Sequence, residues 1–136
     1  MVASVIVDAG FLVTLLSRRE IDHRWADAQA RRYPPPWHTC EAVISETFHL
    51  LGAPGADVFS ALLSREEIII SFHLDDSSAA VLALMRKYAD VPMSFADACL
   101  VRMTETLADP LVLTTDGDFR IYRRHGRRTI RSIMPS

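Results

Sequence analysis

Asp8, Glu46, Asp97 and Asp116 are the residues through which this sequence could do chemistry. Asp8 closes the apolar run Val5-Ile6-Val7, and Asp116 follows the run Leu111-Val112-Leu113. Glu46 lies inside a helical pattern from Glu41 to Leu51, and Asp97 inside one from Ser94 to Ala108. A carboxylate is seldom placed among apolar side chains without a partner. Gathered together and unneutralised, four of them would repel one another and raise one another's pKa values. A hard divalent cation removes that penalty, and an all-oxygen donor set is what Mg²⁺ or Mn²⁺ prefers. One such ion lowers the pKa of a bound water and a second steadies a leaving oxygen, which suits phosphodiester hydrolysis. Two dispersed cysteines and a scattered set of histidines argue against zinc.

Each acid also has an ordinary structural reading. Aspartate is a favoured N-cap, and Asp8 stands where a strand turns into a helix. Asp116-Gly117 is a common turn pair. Asp97 lies three residues after Ser94, the spacing of a capping box. Glu46 is the hardest to explain this way. It shares a helical face with Ala42, Val43 and Leu50, so the pattern turns a carboxylate toward the core.

The elements that must position these side chains alternate. Ser4 to Asp8 reads as a buried β-branched strand, followed by a short helix from Gly10 to Ser17 with Asp8 as its cap. Asp22 to Arg32 reads as a helix stopped by Tyr33-Pro34-Pro35-Pro36. Trp37 to Thr39 is strand-like, with Thr39 capping the helix that reaches Leu51 and breaks at Gly52-Ala53-Pro54-Gly55. Ala56 to Ser64 is helical, Ile68 to Phe72 a strand, and Asp76 to Tyr88 a helix. Ser94 to Ala108 is the longest helical stretch, Leu111 to Thr115 a strand, and Thr129 to Ile133 a last short strand. This alternation predicts an α/β fold, a central and mainly parallel sheet with helices on both faces, in one domain over residues 1–136. Asp8 and Asp116 then sit at the carboxyl ends of their strands, the side on which open α/β sheets bind ligands.

The 136 residues, 49% hydrophobic and 24% charged, are globular in composition. No apolar stretch approaches the roughly 18 residues of a membrane span. Residues 1–4 carry no basic segment, so the first apolar run reads as a strand and not as a signal peptide. Two cysteines fit reduced thiols in a cytoplasmic protein. The net charge of −2 conceals an asymmetry: residues 1–119 hold nine basic and seventeen acidic side chains, whereas residues 120–136 hold six arginines and no acid. Arg123, Arg124, Arg127 and Arg128 are thus either a solvated basic tail or a contact for phosphate or an acidic partner. His23, Arg24 and Trp25 begin a helix and read more readily as a half-buried helix start than as an RNA contact.

The stretches Ile6-Val7-Asp8-Ala9-Gly10-Phe11-Leu12-Val13, Ser45-Glu46, Ser94-Phe95-Ala96-Asp97-Ala98 and Leu113-Thr114-Thr115-Asp116-Gly117-Asp118-Phe119 together resemble the PIN domain. The likeness is nearest to the VapC-type toxins of toxin–antitoxin pairs, and it runs in order along nearly the whole chain. It implies that Asp8, Glu46, Asp97 and Asp116 bind Mg²⁺ or Mn²⁺, with support from the Thr115 hydroxyl and Asp118 as an assistant or a turn cap. It further implies an endoribonuclease preferring single-stranded RNA and leaving 5′-phosphate and 3′-hydroxyl ends. Pairing as a homodimer and inhibition by a cognate antitoxin are implied in the same way. Many relatives carry Ser or Thr where this chain has Gly10. Two kindred readings remain open: a housekeeping RNA-processing nuclease, and a PIN-like binding or assembly module with weak catalysis. A receiver domain would need a lysine after a late strand, but the only lysine is Lys87, within a helix. A dehalogenase-type phosphatase would need Asp-x-Asp, but position 10 is glycine.

Overall fold

Four short apolar runs form the middle of the molecule, a computed structural model that describes residues 2–136. β1 (Ser4–Val7), β2 (Trp37–Thr39), β3 (Ile68–Ile70) and β4 (Pro110–Leu113) are joined by β7 (Ser132–Ile133) in one five-stranded sheet. Its order is β3-β2-β1-β4-β7 and every pairing is parallel. Strands covered on both faces must be apolar throughout. Val5, Ile6, Val7, Leu111, Val112 and Leu113 are accordingly all buried.

The helices α1 (Ala9–Leu16), α2 (His23–Arg32), α3 (Glu41–Ser64), α4 (Ser78–Lys87) and α5 (Phe95–Thr106) flank this sheet. Phe11 of α1 is fully buried and meets Trp25 and Trp37 edge-on, with ring centroids 5.9 and 5.6 Å away. Trp25 therefore packs as part of the core, and His23 is tied to the Thr14 carbonyl by its Nδ1. Among the described residues no helix is long and apolar enough to cross a membrane.

From β1 the chain builds outward through β2 and β3, then returns to place β4 on the opposite side of β1. The order reverses between β1 and β4, which makes their carboxyl ends the switch point of the sheet. Register pairs Val7 with Leu113, so Asp8 and Thr114 emerge side by side.

Several details depart from the expected elements. Thr39 does not cap α3; Cys40 holds that position without a side-chain bond, while the Thr39 hydroxyl donates to the Val7 carbonyl at 2.8 Å. That bond joins the ends of β2 and β1 and takes the hydroxyl away from the helix. Asp22 precedes α2 but makes no side-chain cap bond. The glycine-proline segment breaks the helical run as expected, so α3 is two helical halves meeting at a kink. Only Gly52 leaves helical geometry, at φ 63°, a left-handed conformation open to glycine. The second half of α3 takes in Pro54 and Gly55 and so starts before Ala56. Leu74–Asp76 forms a 3₁₀ turn before α4 begins at Ser78.

The C-terminal segment is not a free tail. Residues Gly117–Arg120 make a 3₁₀ turn, β5 (Arg123–Arg124) and β6 (Arg128–Thr129) form a small antiparallel hairpin, and β7 closes the sheet edge. The Arg124 guanidinium grips the Thr104 carbonyl at 2.6 and 2.9 Å, and that of Arg123 bonds the carbonyls of Arg120, Ile121 and Tyr122. Arg127 and Arg128 remain exposed.

Candidate active site

Asp8 is the innermost acid. β1 delivers it to the sheet edge, and its Oδ1 accepts the Phe11 N–H at 2.8 Å, capping α1. The Thr114 hydroxyl donates to Asp8 Oδ2 from the neighbouring strand end. Thr114 Oγ1 also accepts the Asp116 N–H at 2.9 Å, and Asp116 Oδ1 accepts the Asp118 N–H at 2.9 Å. One chain of hydrogen bonds therefore links the tips of β1 and β4.

Asp97 arrives on the first turn of α5. Ser94 caps that helix, its Oγ accepting the Asp97 N–H at 3.0 Å, which satisfies an otherwise orphaned donor. The Asp97 carboxylate is free of that duty, and its Oδ2 accepts a bond from Tyr122 Oη at 3.0 Å. Tyr122 is fully buried and lies edge-on to Tyr88 and Phe119, so its hydroxyl is rigidly aimed.

Asp8, Glu46, Asp97, Asp116 and Thr115 line a single cleft of ≈ 330 Å³, with Gly10, Val43, Leu50 and Leu100 among its other walls. Glu46 stands at the exposed rim, not turned into the core as its helical face suggested; the same stripe leaves Leu50 53% exposed. Asp118 is half-buried and does not line the cleft. No lysine, arginine or histidine lines it, and none of these acids is in an ion pair among the described residues.

The electrostatics follow from that arrangement. Burial pushes the Asp8 carboxyl up to about 7, with the Asp97 and Asp116 carboxylates adding to the rise. The bonds from Thr114 and Phe11 oppose it without cancelling it. Asp97 is also raised, first by burial and then by Asp116 and Asp118, against the bond from Tyr122. Tyr122 is held protonated well above its usual range by burial and by Asp97. Among the described residues no positively charged side chain lines the cleft to settle these groups.

An oxygen-only donor set under mutual repulsion fits a hard divalent cation. Among the described residues no three acidic, histidine or cysteine side chains stand close enough to hold an ion by themselves. The fit is therefore to an ion that keeps part of its water shell and takes only some carboxylates directly, as Mg²⁺ does.

Gly10 has a steric explanation. A Cβ there would collide with Thr115 Oγ1 and lie 3.5 Å from Asp8 Oδ1. The Thr115 hydroxyl thus occupies the space that a side chain at position 10 would take. Gly10→Ala is expected to destabilise by about 1–3 kcal/mol through overpacking. On a Thr115→Ala background it is expected to be neutral or stabilising, since alanine favours helix. Thermal melts of the four proteins in this cycle check the coupling.

Two site residues escaped the sequence reading, Thr114 and Tyr122. Thr114 lies beside Thr115 in the stretch Leu113–Phe119, and nothing in the spacing distinguishes the two hydroxyls. Tyr122 carried no local signal beyond its position shortly after the last acidic motif.

The PIN domain family model matches residues 5–124. Among solved structures, Mycobacterium tuberculosis VapC20, described as a sarcin-ricin loop cleaving toxin, matches with a TM-score of 0.76 at 22% identity. The match covers 85% of this chain and 92% of that one, and at this identity it speaks for the fold. No curated protein sequence matches the chain significantly. With the family match spanning both strand-end acids, Glu46, Asp97 and most of the sheet, the chain belongs to the PIN domain family.

Proposed function

We propose that the protein is a Mg²⁺- or Mn²⁺-dependent endoribonuclease of the VapC type, the toxin of a type II toxin–antitoxin pair. The observation that carries this reading is the acidic cleft without a protein counter-charge, at the switch point of a PIN fold. The VapC20 likeness supports an RNA substrate, and the family supports a cognate antitoxin and a homodimer.

Asp8, Asp97 and Asp116, with Glu46 at the rim, are proposed to hold the cation. When bound it supplies Lewis-acid activation of water and neutralises phosphate charge. The chain's own work is positioning. Thr114 fixes the orientation of Asp8 and, through the Asp116 N–H, the approach of Asp116. Thr115 walls the cleft above Gly10. Tyr122 holds one oxygen of Asp97 and leaves Oδ1 for the ion or its water shell. The half-buried Asp118 adds negative charge near Asp97. Arg127 and Arg128 remain as exposed candidates for phosphate, whereas Arg123 and Arg124 are engaged with carbonyls.

Partners that orient a ligand typically change metal affinity 10–100-fold when removed. Tyr122→Phe keeps the ring and its packing, so it is expected to weaken Mn²⁺ binding by about tenfold with little change in melting temperature. Unaltered Mn²⁺ affinity would reduce Tyr122 to a core residue.

The reading as a whole is tested by incubating the protein with unstructured RNA, with and without Mg²⁺, and mapping the ends. Cuts that require Mg²⁺, leave 5′-phosphates and vanish in Asp8→Asn are expected. Intact RNA at every Mg²⁺ and Mn²⁺ concentration would leave a PIN-fold binding module instead.

A further inference from the structure

Leu50 walls the carboxylate cleft on one side. That residue also lines a second hollow of ≈ 300 Å³, formed by Val13 and Leu16 of α1, Leu51 and Pro54 of α3, and the Arg18-Arg19-Glu20 loop. The first hollow sits against the start of α1, at Ala9 and Gly10, and the second against its end. The two hollows thus sit at opposite ends of this eight-residue helix, about 12 Å long, with Leu50 as their common wall. The left-handed turn at Gly52 shapes the far wall of the second by breaking α3 just before Pro54.

Charge divides the two hollows. The first is acidic, and a phosphate chain entering it is repelled unless cations flank the approach. The second carries two adjacent exposed arginines, neither in an ion pair among the described residues, against a single acid. Their guanidinium forks suit phosphate oxygens, and the aliphatic floor of Val13, Leu16, Leu51 and Pro54 offers apolar contact to unpaired bases. Double-stranded RNA keeps its bases stacked inside and could not use that floor.

We propose that this second, α1–α3 hollow is a subsite for single-stranded RNA beside the scissile bond, with Arg18 and Arg19 holding the phosphates that flank it. This rests on the nuclease reading above, but the two can fail separately. The occupant is nucleic acid rather than a peptide because the hollow adjoins, across Leu50, the cleft where the phosphodiester must lie, and its arginines outnumber its one acid.

The test is binding of a short fluorescent unstructured RNA to the Asp8→Asn protein, which retains the strand uncut, across a series of salt concentrations. Single-stranded contacts contribute about 0.7 each to the slope of log affinity against log salt, so R18A/R19A should lower that slope by about 1.4. R127A/R128A serves as the companion arm for the hairpin. A lowered slope in R18A/R19A with an unchanged melting temperature supports the subsite. An unchanged slope, a loss confined to R127A/R128A, or no measurable RNA binding overturns it. Loss of binding to a co-purified protein partner with the RNA slope intact also overturns it, in favour of a protein dock. Wild-type cleavage in Mg²⁺ is measured in parallel. Cutting with an unchanged slope removes only the subsite, and a lowered slope without cutting removes only the nuclease.

Discussion

Asp8→Asn is expected to lower RNA cleavage by about a thousandfold or more while leaving the fold intact. A metal centre stabilises transition-state charge by several kcal/mol, and each 1.36 kcal/mol is a factor of ten in rate. Asparagine preserves the shape of Asp8 and can still accept the Phe11 N–H that caps α1. What it removes is one negative charge in a cleft that, among the described residues, is lined by no positive one. The metal-free mutant is therefore expected to be more stable than the wild type at pH 8, not less. Activity lost together with a lowered melting temperature would mean that Asp8 serves only as a helix cap. Rates measured beside urea melts in EDTA separate the two roles.

The metal-free wild type is also expected to lose stability as pH rises. Burial holds the folded Asp8 carboxyl up at about 7, against 3.8 for a freely solvated aspartate. Between those values the folded state binds more protons than the unfolded chain, so stability falls with increasing pH. Asp8 is only 7% exposed, so little of this is screened by solvent. Two units between pH 5 and pH 7, at 1.36 kcal/mol each, give a loss of about 3 kcal/mol by pH 8. Asp97 is shifted in the same direction and steepens the decline. Urea melts in EDTA at pH 5 and pH 8 check the sign, and Asp8→Asn should flatten most of the difference. Adding Mg²⁺ at pH 8 should restore stability, by about 2.7 kcal/mol at a hundred times its dissociation constant. A wild type equally stable at both pH values would show that Asp8 is better solvated than its burial implies.

What could be read from the sequence was local. The β1 and β4 runs, the proline stop after α2, the Asp8 cap and the Ser94 cap each depend on neighbours within a few residues. The structure places all of them. The parallel order of the sheet followed from strand–helix alternation, and the switch point brought Asp8 and Asp116 to one edge. Glu46 was misjudged in depth because Leu50, one turn onward on its face, is exposed in the folded chain; apolar residues at helical spacing do not say whether a face is covered. The Thr114–Asp8 and Tyr122–Asp97 bonds span 106 and 25 residues, beyond the reach of any spacing rule. The arginine-rich segment read as charge, yet two of its guanidinium groups fasten backbone carbonyls and its two-residue strands exist through tertiary packing. Gly10 looked like a missing hydroxyl until Thr115 was seen to fill its space.

The proposed chemistry requires that the convergent acids take up a divalent ion. Mn²⁺ titration followed by electron paramagnetic resonance reads this without any substrate. Saturable uptake by the wild type, weakened at least tenfold in both Asp8→Asn and Asp97→Asn, is the predicted result. Equal Mn²⁺ affinity in all three proteins, or none in the wild type, would contradict it.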